Sequence, residues 1–269
     1  MREIELLTAV LAGVVQGITE WLPISSEGQA TMTMMKVLGI PPSTAMDLAL
    51  WLHAGTLLAV LLRFGVPYWM TVKDLLTGGP WRRPGLFLIV ATVCTAVVGL
   101  PVYKALKGIF SAATGDAVQM AIGGALIVTG LLLRISPEGL RDRRDVNVVD
   151  AITVGLGQGF SVIPGISRSG TTMALLLWRK FDGREAVWLS FYLAGPAMLG
   201  ATALEFKEGL SAATKMGTTW MVTAIMVSFV VSLICMEALL RVARRLDFSK
   251  VCLLLGGIAL LVPLAAKMI

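Results

Sequence analysis

The sequence predicts an all-α integral membrane protein: six transmembrane helices plus two re-entrant helix-turn-helix loops, arranged as an inverted-topology repeat. Three observations carry this expectation. The 269-residue chain is 56% hydrophobic, has a mean hydropathy of +0.81 and is only 15% charged, against about 25% in a soluble domain. Long uncharged runs result, as a bilayer requires. Two further apolar stretches are interrupted by Gly, Pro and charge, and these two resemble each other.

The spans follow in order. Residues 48–62 form the first, bounded by Asp47 and Arg63 and containing the chain's one histidine, His53. Residues 84–103 and 117–133 form the next two. Residues 186–204 and 216–236 come later, and the shorter run 251–266 extends into its flanks. Each approaches the roughly 17–25 residues needed to cross a hydrocarbon core about 30 Å thick. Cys94, Cys235 and Cys252 fall inside these runs without metal-ligand spacing and read as packing residues.

The two remaining apolar stretches are too short or too broken to span. Residues 6–19 end at Glu20, and Trp-Leu-Pro-Ile-Ser-Ser-Glu-Gly precedes a second short stretch to Val37. Residues 151–167 contain Gly155, Gly157, Gly159, Pro164 and Gly165; Arg168 and a short run to Trp178 follow. Breaks of this kind at membrane depth are tolerated only inside protein or along a wet cavity. Re-entrant loops over 4–38 and 150–180 are therefore expected.

Aligned without a gap, GVVQGITEWLPISSEG (13–28) and GLGQGFSVIPGISRSG (155–170) match at six of 16 positions. The matches are Gly13/Gly155, Gln16/Gln158, Gly17/Gly159, Ile24/Ile166, Ser25/Ser167 and Gly28/Gly170. Three spans follow each copy. An odd number turns the second copy over, so the loops meet near the midplane about a pseudo-two-fold axis. The repeats divide as 1–143 and 144–269.

A net charge of +6 invites comparison with nucleic-acid binders, but topology explains it better. On this arrangement the loops of one side hold 15 of the 23 Lys and Arg residues. The positive-inside rule places that side in the cytoplasm, with both termini outside a plasma membrane. Residues 138–150 form the densest charge cluster and read as a solvated cytoplasmic loop joining the repeats. No cleavable signal peptide is evident, because Glu3, Glu5 and Glu20 flank the first apolar stretch and no basic segment precedes it.

Arg168 carries the functional reading. A charge at membrane depth costs at least ~2.5 kcal/mol, so the guanidinium needs an anion. Glu20 or Glu27 could pair with it, and its planar fork also suits a phosphate. Ser25 and Ser26 precede the second half of the first loop. Ser167 and Ser169 do so in the second, with Thr171 and Thr172 in the first turn. Free N–H groups at two converging helix starts would hold the phosphates of a lipid. Ordinary capping competes for these hydroxyls: Ser26-Glu27-Gly28-Gln29 fits a capping box. Glu20 shares a helical face with Gln16, and Gln158 is the equivalent of Gln16. Glu20 and Glu27 are candidate ligands for Mg²⁺ or Ca²⁺, and Glu20 is also a candidate proton carrier. His53 is either a packing residue or a supporting member of the site.

Pro164-Gly165-Ile166-Ser167-Arg168-Ser169-Gly170-Thr171-Thr172 resembles the PGxSRSxxT signature of the undecaprenyl-pyrophosphate phosphatase family of the bacitracin-resistance type. Gln16-Gly17-Ile18-Thr19-Glu20 resembles its (E/Q)xxxE signature, and Leu52-His53-Ala54-Gly55-Thr56 also looks like a family segment. The resemblance implies removal of the terminal phosphate from a polyprenyl pyrophosphate, regenerating the monophosphate carrier. It implies a site of Glu20, Ser26, Ser167, Arg168, Ser169 and Thr172, with Arg168 on phosphate, Glu20 assisting a metal or proton transfer, and either Ser26 or a metal-bound water as nucleophile. Two departures stand out. The family's PxSSTGH stretch reads Pro23-Ile24-Ser25-Ser26-Glu27-Gly28-Gln29, so Gln29 replaces a histidine and Glu27 a threonine. An alternative reading is a polyprenyl-phosphate flippase, since inverted repeats are common in transporters. The expected partners are the polyprenyl lipid and membrane lipids, with no nucleic acid; a homodimer is left open.

Overall fold

The computed structural model describes residues 2–37, 39–111, 115–136, 139–163, 165–242 and 248–266. Ten α-helices are described among them. They are α1 (Arg2–Thr19), α2 (Ser26–Lys36), α3 (Pro42–Thr77), α4 (Arg82–Ser111), α5 (Gly115–Ile135), α6 (Val148–Gly159), α7 (Arg168–Trp178), α8 (Gly183–Met216), α9 (Thr218–Val242) and α10 (Phe248–Ala266). Short 3₁₀ turns cover Arg143–Asp145 and Phe160–Val162. Pro164 of the arginine motif lies outside the described residues.

Four helical stretches are long and apolar enough to cross a membrane: Thr44–Thr77, Arg82–Ala105, Gly183–Leu204 and Thr218–Val242. The apolar parts of α5 and α10, Gln119–Ile135 and Ser249–Leu261, are shorter. A lipid-facing surface is evident on these helices: Leu62, Val66, Val97, Ile234 and Leu254 are each about 65% exposed. Apolar surface on this scale suits hydrocarbon and not water.

Two expected boundaries move. The first span does not stop at Arg63, because α3 continues to Thr77. Arg63 sits on the helix and donates from Nε to Glu237 of α9 at 2.9 Å, which meets its charge without a loop. The run 216–236 divides at Gly217, whose φ of +90 ends α8 and lets α9 begin at Thr218. That left-handed backbone is readily adopted only by glycine.

The packing is paired. α1 runs along α9, and α6 runs along α4; α3 packs on α8, and α5 on α10. Glycines set the close approaches. A Cβ added at Gly13 would lie 2.7 Å from the Ala224 carbonyl, and one at Gly17 2.8 Å from Val231 Cβ. In the other interface, Gly155 would collide with the Ala91 carbonyl and Gly159 would lie 2.5 Å from Val98 Cβ. Gly123 and Gly256 face each other's carbonyls across α5 and α10. Small residues that let backbones touch are the usual glue of helices in lipid, where no hydrophobic force drives association.

The connection before α6 is solvated along much of its length, with Asp142, Arg144, Asp145 and Asn147 exposed, but it is anchored at Asp150. Asp150 is fully buried at the start of α6. Arg141 grips it with two nitrogens at 3.0 and 2.6 Å, and Arg179 Nε adds a third bond at 2.6 Å. Arg143 pairs with Glu185 and lies over the Trp188 ring. Arg141, Arg143 and Asp150 thus tie this segment to α7 and α8; Glu138 lies outside the described residues.

Candidate active site

The chain breaks between α1 and α2 at Glu20–Ser25, and the way it breaks determines what Ser26 does. Ser25 takes the N-cap position of α2 with a left-handed backbone, φ 59 and ψ 86, and makes no side-chain cap. Such a conformation in a residue other than glycine is costly and tends to occur at functional sites. The helix starts one residue earlier than the capping-box pattern implies, so Ser26 is helical and its hydroxyl is free of capping. It donates instead to Glu20 Oε2 at 2.6 Å. Gln29 does not close the box either; its Nε2 donates to the Ile24 carbonyl at 3.3 Å.

The second break differs. Ser167 caps α7 conventionally, its Oγ accepting from the Gly170 N–H at 3.1 Å. Arg168 follows as the first helical residue, and its Nη2 donates to Glu20 Oε1 at 2.7 Å. Ser169 crosses to the first break and donates to the Leu22 carbonyl at 2.9 Å. A Cβ at Gly170 would lie 2.9 Å from Pro23, so the two breaks are in van der Waals contact.

Glu20 is the hub. It is 5% exposed. Besides Ser26 and Arg168, its Oε2 accepts from Gln16 Nε2 at 2.9 Å and faces His53 Nε2 at 3.3 Å. Arg168 is only partly used by this pairing: Nη1 is buried and has no hydrogen-bond partner among the described residues. An unsatisfied buried guanidinium nitrogen is expensive. It is the strongest local sign that an acceptor belongs there.

These groups form the polar end of a cavity of about 670 Å³. Glu20, Ser25, Ser26, Glu27, His53, Gln158, Ser167, Arg168 and Ser169 all line it. The other expected residues do not. Gln16 lies behind Glu20, and Gln29 points to Ile24. Thr172 donates to the Arg168 and Ser169 carbonyls and pairs with Ser190 at 2.6 Å, which fixes the first turn of α7. Thr171 is buried beside it.

The cavity also contains residues that the sequence did not single out. Asp47, expected only at a span end, lines it, as do Ser161 and Tyr103. Thr95 lines it and accepts from Gln158 Nε2 at 2.9 Å. The remaining wall is mostly apolar: Met46 and Leu50 of α3, Ala96, Gly99 and Leu100 of α4, and Ala197, Gly200, Ala201 and Leu204 of α8. A polar residue inside an apolar run, such as Thr95, was the one signal available. The apolar wall looks like any other span.

Glu20 and Glu27, the expected divalent-ion ligands, both line the cavity. No three His, Cys, Asp or Glu residues converge for a metal among the described residues. The oxygens of Glu20 face four protein donors, so an Mg²⁺ or Ca²⁺ ion there would draw most of its oxygen ligands from water and phosphate.

A polar, cation-bearing pocket at the end of an apolar cavity, enclosed by membrane-length helices, defines a membrane protein for an anionic head group on an apolar body. The chain belongs to the family described as bacitracin resistance protein BacA, which matches residues 9–258. It is 94% identical to an undecaprenyl-diphosphatase of Methanopyrus kandleri over 269 residues, 100% of either chain. It is 38% identical to an undecaprenyl-diphosphatase of Methanothrix thermoacetophila, covering 94% of this chain and 95% of that one. A bacterial relative of the same name, from Alkaliphilus metalliredigens, is 37% identical over 88% of this chain and 90% of its own.

Proposed function

We propose that this chain is an undecaprenyl-diphosphatase: a multi-pass membrane phosphohydrolase that removes the terminal phosphate of undecaprenyl pyrophosphate and regenerates the monophosphate lipid carrier. The observation that carries it is the meeting of Arg168 with Glu20 and Ser26 at the polar end of an apolar cavity. The family and the shared name of the relatives agree with this reading.

The residues suggest a two-step transfer. Arg168, with Nη1 already unpartnered, takes the terminal phosphate in its fork. Ser26 Oγ attacks the terminal phosphorus, and its proton passes to Glu20 Oε2. The bond from that phosphorus to the bridging oxygen breaks, and the lipid monophosphate leaves. Water then attacks the phosphoserine, and the Ser26–phosphorus bond breaks. Glu20 returns its proton to Ser26, and inorganic phosphate departs with the two protons of the water. Ser167 Oγ accepts from the Gly170 N–H and can turn its own proton to a phosphate oxygen, whereas Ser169 would do so only by releasing the Leu22 carbonyl. The apolar wall from α3, α4 and α8 accepts the first isoprene units.

The same reading includes six spans in two inverted halves, 1–143 and 144–269, with both broken segments re-entrant and both termini outside. The paired packing of α1 on α9 and α6 on α4 supports it, with repeat-matched glycines at both interfaces.

The test is phosphate release from undecaprenyl pyrophosphate by the purified protein in detergent, with and without Mg²⁺ or Ca²⁺. Release by the wild-type chain, lost in Glu20→Gln and Arg168→Ala, is the expected result. No release under any metal, together with movement of polyprenyl monophosphate across liposomes, would replace the enzyme with a flippase.

A further inference from the structure

The internal repeat pairs Gln16 with Gln158, yet the two glutamines are held differently. In the first half the amide of Gln16 donates to the carboxylate four residues on, Glu20. In the second half the corresponding position is Val162, so Gln158 has no acid at that spacing. It turns instead to α4, and its Nε2 donates to Thr95 Oγ1 at 2.9 Å. Gly155 and Gly159 let α6 press onto α4 at Ala91 and Val98, which holds the glutamine beside Thr95. Ser161 donates to the Gln158 carbonyl at 2.7 Å and fixes the end of the helix. Gln158 is 1% exposed and lines the cavity.

Thr95 decides which way the amide faces. Its hydroxyl has one proton, and the Ala91 and Gly155 carbonyl oxygens stand 2.8 and 3.1 Å from it. Carbonyls only accept, so the proton is used on them and Thr95 can only accept from Gln158. The amide nitrogen therefore faces Thr95, and Oε1 faces away from it. Oε1 is buried with no hydrogen-bond partner among the described residues. The lining hydroxyls of Thr92 and Ser161 are committed to the Leu88 and Gln158 carbonyls. Gln16 Oε1 is also unpartnered, but Gln16 is outside the cavity lining. The lining residues thus bring an unmet acceptor at the end of α6 and an unmet donor, Arg168 Nη1, at the start of α7.

An ionised phosphate oxygen suits Arg168, but it only accepts and cannot also meet an amide oxygen. Water can, because it donates through hydrogen and keeps a lone pair for phosphorus. We propose that Gln158 holds the water that cleaves the phosphoserine, with Oε1 accepting a hydrogen bond from it while Nε2 stays anchored on Thr95. A glutamine amide orients attacking water in this way in other phosphoryl-transfer enzymes, without taking its proton. In the step, the water oxygen bonds to phosphorus and the bond from phosphorus to Ser26 Oγ breaks. Both water protons leave on inorganic phosphate, and Glu20 returns to Ser26 the proton it took. Gln158 ends the step unchanged. The front half of the chain supplies the nucleophile and the proton carrier; the rear half supplies the arginine and places the water. This inference rests on the phosphatase reading of the same site.

Gln158→Met keeps the length of the side chain and removes the acceptor. With undecaprenyl pyrophosphate carrying ³²P in its terminal phosphate, acid-quenched time courses follow each product. Gln158→Met is expected to release undecaprenyl phosphate in a burst stoichiometric with enzyme. Release of inorganic phosphate should then be slowed about 10²-fold. Label should accumulate on Ser26 as phosphoserine, and not in Ser26→Ala. Thr95→Val keeps the amide but unlocks its orientation, and should show the same pattern more weakly. Wild-type release of both products by Gln158→Met would overturn the proposal. Equal slowing of both, with no label on Ser26, would also overturn it, since Gln158 would then act before water is needed. Should Gln158→Met not fold, Thr95→Val decides, and wild-type kinetics there would overturn the proposal. A wild-type chain that releases no phosphate would count instead against the phosphatase reading.

Discussion

At the residue scale, one arginine and one glutamate organise the site, and geometry matters more than charge. Arg168 uses Nη2 on Glu20 and keeps Nη1 free, so it can bridge the carboxylate and an incoming phosphate at once. Lysine has a point charge in place of a fork. Arg168→Lys should therefore lower kcat/KM by about 10²-fold, measured as phosphate release. Near-normal activity would count against fork-like binding. Arg168 and Glu20 were legible in the sequence because an isolated charge in an apolar context has few innocent explanations. Gln16 and Ser26 were legible through the repeat and the helix-start pattern. The partnership of His53 was not, since it depends on which face of a long helix turns inward. Nor was Thr172 as a turn-fixing residue, because a hydroxyl beside Arg168 looks the same in sequence whether it meets ligand or backbone.

At the element scale, the helices are placed by glycine contacts and by one buried charge cluster. Gly17 and Gly159 each face a valine Cβ across their interface. Gly17→Val or Gly159→Val should destabilise by about 1–3 kcal/mol through overpacking, seen as a lower thermal midpoint in detergent. Gly124 has nothing within 4 Å of an added Cβ. Gly124→Ala should be neutral or slightly stabilising, since alanine suits a helix better by about 0.5–1 kcal/mol. The Asp150 cluster makes a pH statement. Burial alone would raise the Asp150 carboxyl, but the bonds from Arg141 and Arg179 outweigh it and hold the group below the usual carboxylate range. Its stabilisation is therefore present above the unfolded-state value and is lost as pH falls through the lower folded one. Asp150→Asn should cost about 1–3 kcal/mol at neutral pH, limited by the water that both arginines reach. It should also flatten the acid side of the stability curve. An unchanged acid limb would show that other carboxylates dominate it.

At the scale of the whole molecule, the two broken segments bring distant parts of the sequence to one point. The internal likeness of residues 13–28 and 155–170 made this arrangement readable before any coordinates. The extent of the spans was less so: hydropathy cannot show that α3 runs past Arg63, because Glu237 on another helix neutralises that charge. The cavity wall was invisible for a related reason, as apolar side chains facing lipid and facing a cavity have the same composition. The inverted arrangement proposed above predicts sidedness. In a chain with its own cysteines replaced, Lys215→Cys should react with an impermeant thiol reagent from outside intact cells. Arg144→Cys should react only after permeabilisation. The reverse pattern would overturn the orientation.

In the proposed mechanism, Glu20 and Arg168, 148 positions apart, act on one phosphate. A kinetic double-mutant cycle on Glu20→Gln and Arg168→Ala, read as phosphate release from undecaprenyl pyrophosphate, addresses it directly. Groups that act as a unit are strongly non-additive. The double variant should be no slower than the worse single one. Losses that multiply would mean that the two residues work independently, and the shared site would have to be abandoned.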